Sequence, residues 1–219
     1  MFNFLKGDKE MVNRKFLKKL STIIIGLGVM AFSFTSVWAI SPVDLLKKIN
    51  GYQNKTSVLN DYDCFIKPNL LENGFDDSNV KTAESFLNKK NKDNPSEGLS
   101  KFKNYVCHRL LFAQSKIFII EQNIDDETLK LEKDNHIHTI LESLEKNSNI
   151  WAVKEEIENI KLCIQNCKSI SNVTLVDFSL KCVEQKQQLF YENYHALHSH
   201  INSALSHIKT YRANQICQK

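Results

Sequence analysis

Glycine and proline are the scarce residues of this chain, six and three in 219. Past Ala39 only Gly51, Gly74, Gly98, Pro42, Pro68 and Pro95 remain. So little punctuation excludes a run of short strands joined by tight turns, and no period-2 alternation is sustained anywhere. The same scarcity removes the glycine loops that cradle phosphates or dinucleotides. There is no G-x-S-x-G and no H-E-x-x-H either. A surplus of positive charge is missing as well. Of 29 basic and 25 acidic residues, positions 1–39 hold six and two, leaving 23 of each beyond them. A protein that neutralises phosphates needs excess Lys and Arg on one face, so nucleic-acid binding is excluded. No internal repeat or low-complexity tract is detectable.

The N-terminal segment is charged, then bare. Arg14, Lys15, Lys18 and Lys19 precede Ser21–Ala39, which carries no charge and ends in Val37-Trp38-Ala39. A cationic stretch, an apolar stretch and small residues at positions −3 and −1 form the pattern of a secretory signal peptide. Residues 1–39 are therefore expected to be removed, leaving an exported protein, periplasmic or secreted. The alternative is an uncleaved anchor. The uncharged run reaches Val43, about the 20 residues a bilayer core requires. Contact with a membrane is expected only through this segment.

All six cysteines lie beyond it: Cys64, Cys107, Cys163, Cys167, Cys182 and Cys217. An even number behind an export signal reads as disulfides. Many pairings are open; a hairpin turning near Ser171 would set Cys163 and Cys182 at similar heights on facing helices, within reach of a bridge. A structural zinc site needs two short-spaced pairs, and the chain offers only the one C-x3-C of Cys163 and Cys167.

Helical periodicity dominates what remains. In residues 40–98 the pattern is irregular with short helices, one opened by Ser41 and Pro42 as N-cap and first helical residue, another buried through Val80, Ala83, Phe86 and Leu87. Residues 99–219 carry four apolar stripes at spacings of three and four. The first runs from Leu99 to Ile120 and is broken at Asn123-Ile124-Asp125-Asp126-Glu127. The second uses Leu129, Ile137, Ile140, Leu141 and Leu144; the third runs from Ile150 to Cys167. The last occupies 174–216, long enough for part of it to project. The expectation is an all-α fold: an antiparallel bundle of about four main helices plus short N-terminal helices, braced by disulfides.

Four histidines crowd Tyr191–His207. On a helical wheel His200 and His207 share one flank, two turns apart, while His195 and His198 face outward. Glu192, His195 and His198 are the candidate ligands for a weak surface metal site. The E-x-x-H step of Glu192 and His195 occurs once, whereas di-iron bundles need it twice. No cofactor is expected. Cys107-His108 diverge by about 100° on a helix, and Asp125-Asp126-Glu127 lacks the glycine turn of a calcium loop. Asn172-Val173-Thr174 matches a glycosylation acceptor, which matters only in a eukaryote. No acid, base and nucleophile converge, so no catalytic residue is assigned. The stretch LKCVEQ…YHALHSHINSAL resembles the cysteine-containing helix of plant-type invertase and pectin methylesterase inhibitors, which are disulfide-linked helical bundles. That resemblance covers one helix and lacks their N-terminal cysteine hairpin. The leading expectation is a non-catalytic interaction module for a protein partner, with the C-terminal helix and Tyr191, Tyr194 and Tyr211 as its docking face. A weak transition-metal binder and an enzyme with an unrecognised site are the alternatives.

Overall fold

Short polar side chains start the first helices. Ser41 accepts the backbone N–H of Asp44, and Pro42 opens α1 (Pro42–Gly51), which buries Leu45 and Ile49. Asn54 caps α2 (Lys55–Asp61) by accepting from Ser57 N–H. The helix then widens into one π-helical stretch, Tyr62–Ile66, before α3 (Lys67–Glu72). Pro68 explains the widening. It has no N–H to give, and its ring crowds the carbonyl of Cys64; Lys67 N–H reaches back five residues to Tyr62 instead. Two bonds close α3 in a Schellman turn, Phe75 N–H to Leu70 O and Gly74 N–H to Leu71 O. Gly74 has φ +81°, and a Cβ there would stand 2.9 Å from Leu180 Cδ2. The positive φ favours glycine, and a side chain there would also displace Leu180.

A computed structural model describes residues 39–88, 95–173 and 178–217, with the side chains of Pro95 and Cys217 outside the description. The expected targeting segment, cleaved or anchoring, lies outside the described residues. Contacts divide the chain after Ala39, and Ile40–Lys219 is one unit. The described residues are helical and contain no strand. Beyond α3 come α4 (Asp77–Asn88), α5 (Pro95–Lys133), α6 (Asn135–Glu145), α7 (Trp151–Ser171) and α8 (Leu180–Cys217). Among the described residues no helix is long and apolar enough to cross a membrane.

The all-α expectation holds, but the helices divide differently. The acidic run at 125–127 does not interrupt α5. Its buried stripe passes straight through as Ile117, Ile120, Ile124, Thr128 and Leu131, with the acids on the solvated side. The break comes at Asp134, whose carboxylate accepts from His136 and Ile137 N–H and starts α6. Leu129, assigned to the second stripe, is 48 % exposed. The interruption thus moves to Asp134, which lengthens the first of the expected helices and leaves Ile137–Leu144 on the short α6. Asp125–Ser171 and Glu132–Lys168 contacts set α7 antiparallel to α5. Asn166–Asn193 and Glu156–His200 set it antiparallel to α8. Lys116–Glu184 and Glu121–Lys186 advance together, so α5 and α8 run the same way.

Two apolar clusters result. The first gathers α1–α4 on Leu99, Phe102, Val106 and Leu110 of α5. The second gathers α6, α7 and α8 on Ala113, Ile117, Ile120, Ile124 and Leu131 of the same helix. Buried Asn73 ties them. Its Oδ1 accepts Leu180 N–H at 3.1 Å, satisfying the start of α8, and its Nδ2 donates to Ile40 O at 3.0 Å. Ile40 N–H in turn donates to Asn69 Oδ1 at 2.8 Å. Lys186, 7 % exposed in its side chain, pairs with Glu121 and donates to Val173 O, pinning the α7–α8 connection to α5.

The disulfide bracing is corrected. Cys64, Cys107, Cys163, Cys167 and Cys182 are free thiols, and the side chain of Cys217 lies outside the description. The Cys163–Cys182 pair fails on register. The two helices pair in another register than a turn at Ser171 would give: Asn166 meets Asn193 and Cys167 meets Phe190. Cys182 is thereby displaced from Cys163 by about thirteen residues, roughly 20 Å at 1.5 Å per residue. Cys163 and Cys167 lie on the buried face of α7 and act as small apolar side chains.

Candidate functional site

Polar chemistry collects at one place, between the first half of α7 and the second half of α8. Glu156 sits beside Val153 and Ile157 of the α7 stripe, so packing carries its carboxylate toward α8. There Oε2 meets His200 Nδ1 at 2.6 Å and Oε1 accepts Ser203 Oγ–H at 2.7 Å. His207 Nε2 lies 3.4 Å from Ser203 Oγ and 4.0 Å from Glu156 Oε1. His200, Ser203 and His207 are three and four residues apart, which stacks them on one flank of α8. Burial pushes the Glu156 carboxyl up, but hydrogen bonds from Ser203 and His200 outweigh it and hold the group below its ordinary value.

Carboxylate, imidazole and hydroxyl are the parts of a nucleophilic triad, but their wiring differs from one. A triad needs the hydroxyl against the imidazole nitrogen that the carboxylate does not hold. Here Ser203 gives its proton to the same carboxylate that holds His200. The arrangement is a clamp between two helices that depends on the charge of Glu156.

The metal candidates are not brought together. Glu192 is exposed and accepts from Gln188 Nε2 at 2.9 Å. His195 lies beside the rings of Tyr191 and Tyr194, and His198 packs edge-on to Tyr194 at 5.0 Å. Among the described residues no group of three or more His, Cys, Asp or Glu side chains is disposed to hold a metal. The thiols are no better placed for chemistry. Burial, with the neighbouring Cys163 adding to it, pushes the Cys167 thiol up to about 12, and burial also raises Cys163 and Cys182. Such groups stay protonated and are poor nucleophiles.

The expected docking face is partly spent inside the fold. Tyr191 and Tyr194 are half-buried against Phe190. Tyr211 is exposed, on the end of α8 where residues 209–216 all face solvent.

A larger apolar surface lies on α5. Leu111, Phe112, Phe118 and Ile119 are 51, 65, 66 and 55 % exposed, on the side opposite the buried stripe. Sequence reading missed them by following a single stripe. The signal was there in RLLFAQSKIFII, a helix segment apolar on both sides, which implies two packing faces. Phe112 also borders a cleft of about 200 Å³ with Asn73, Arg109, Lys116, Leu180 and Glu184. Comparison with known protein families, with curated proteins and with solved structures found no match to this chain.

Proposed function

We propose that the chain is an exported, non-catalytic helical binding module that docks on a protein partner through the outer face of α5. One observation carries the docking: four large apolar side chains, each more than half exposed, lie on one side of a helix whose opposite side is buried in the core. Isolated exposed leucines are ordinary, whereas several large apolar side chains exposed together on one face are a feature of interaction surfaces. Export is supported by the cationic and then uncharged N-terminal segment that ends in Val37-Trp38-Ala39. Cys163 and Cys167 are buried away from oxidants, while the free thiol of Cys64 is exposed to them.

The test is to express the complete sequence in a secreting host, take the intact mass of the exported chain, and footprint it with a carbene label. A mass beginning at Ile40 is expected. Phe118 and Ile119 should be protected either in extract or in concentrated purified protein. Retention of residues 1–39 inside the cell would remove the export half. Full labelling of Phe118 and Ile119 under every condition would remove the docking half.

A further inference from the structure

We propose that the occupant of this face is a second copy of the chain, with the two α5 helices crossing antiparallel about a two-fold axis at Ser115. This rests on the docking role of α5 argued above. A two-fold interface must be self-complementary, each residue meeting its mirror position on the other copy. The exposed stripe of α5 has that property. Taking Ser115 as centre, Leu111 mirrors Ile119 and Phe112 mirrors Phe118, all four exposed. Leu111 and Ile119 are separated by about 12 Å along the helix, so each apolar pair would face the opposite pair of the other copy. The centre is small: Ser115 turns its hydroxyl back to Leu111 O at 3.0 Å, leaving room for two backbones to approach.

Charge follows the same symmetry. At 100° per residue, Glu97, Lys101, Asn104, His108, Gln122, Asp126, Leu129 and Lys133 continue the stripe to both ends, and all are exposed. Reflection through Ser115 puts Glu97 opposite Lys133. It puts Asn104 opposite Asp126, with Lys101 one turn away. An antiparallel pair thus sets acid against base at both ends. A parallel pair would stack Glu97 on Glu97, Asp126 on Asp126 and Lys133 on Lys133, and repel. Four apolar side chains per copy make a small contact, at the low end of specific interfaces, so the dimer should dissociate on dilution through the micromolar range.

The experiment uses protein expressed from the complete sequence. Sedimentation equilibrium should give a dimer that dissociates on dilution, and Phe118→Asp, whose fold is checked by circular dichroism, should be monomeric throughout. In a chain with Cys64, Cys107 and Cys217 changed to Ser, Ser115→Cys should form a covalent dimer on mild oxidation. Asn104→Cys should not, its two copies lying about 33 Å apart in this register, yet it should link to Asp126→Cys in a mixture. A monomer at every concentration overturns the self-pairing; protection of Phe118 in extract would then leave α5 as a docking face for a different protein. An Asn104–Asn104 link, or a dimer that survives Phe118→Asp, overturns the antiparallel register.

Discussion

Glu156 is the residue on which most of the α7–α8 polar contact depends. Its carboxylate is held by His200 and Ser203, with His207 alongside, and it is 16 % exposed. Because its folded value lies below the ordinary one of 4.5, its contribution to stability is complete above that pH and is lost as pH falls through the folded value. Glu156→Gln should cost about 1–3 kcal/mol at pH 7, the worth of charge-assisted bonds to a partly buried group. That deficit should be smaller at pH 3 than at pH 7, because the native carboxylate moves toward its neutral form as the pH falls. Urea unfolding of both proteins at the two pH values checks this, and a deficit independent of pH would mean that the carboxylate charge is not what holds the clamp. The sequence disclosed half of this site. Helical spacing placed His200 and His207 on one flank, away from His195 and His198. It gave no hint of Glu156, which stands 44 residues before His200 and reads as one of many solvated acids on α7. Partners that meet only through the α7–α8 hairpin depend on its register, and a turn placed at Ser171 moves that register by many residues. The same shift undid the Cys163–Cys182 bridge.

At the level of elements, α5 decides how the chain is partitioned. Polar residues hid its continuity. Thr128 occupies a core position and satisfies its hydroxyl on Ile124 O at 2.8 Å, so the stripe looked broken where it is only polar. Leu129, next to it, looked like core and is exposed. The signals that did succeed were the cap and first proline, Ser41 with Pro42 at α1, and the apolar face of α4 through Val80, Ala83 and Leu87. Asp126→Pro tests the continuity. Asp126 is exposed, so the change loses no packing, but a proline in a helix interior removes a backbone bond and clashes with the preceding turn, at about 3 kcal/mol or more. At the first turn of a separate helix the same proline would be tolerated. A loss below about 1 kcal/mol in urea unfolding would therefore restore the interruption at 125–127.

Taken whole, the molecule is two apolar clusters threaded on one helix. The clusters meet at consecutive turns of α5, Leu110 belonging to the first and Ala113 to the second. Asn73 holds Leu180 N–H, and Lys181 pairs with Glu72 at 3.2 Å across a solvated edge. The question is whether an unfolded first cluster leaves the second intact. A helix shared across its whole length argues against independence. If α1–α4 detach, the Leu99–Leu110 half of α5 loses its cover, and Leu180 N–H at the start of α8 loses its buried acceptor, each at a cost in free energy. Phe102→Ala probes the coupling, since Phe102 is fully buried and touches Tyr62 in the first cluster only. Truncating such a residue costs about 3–5 kcal/mol. With coupled clusters, hydrogen exchange at Ile157–Cys167 of α7 should accelerate by roughly the hundredfold or more that this energy implies, in step with α1–α4. Protection of α7 left at its original level, while α1–α4 exchange fast, would mean that the molecule unfolds in two independent pieces joined at the middle of α5.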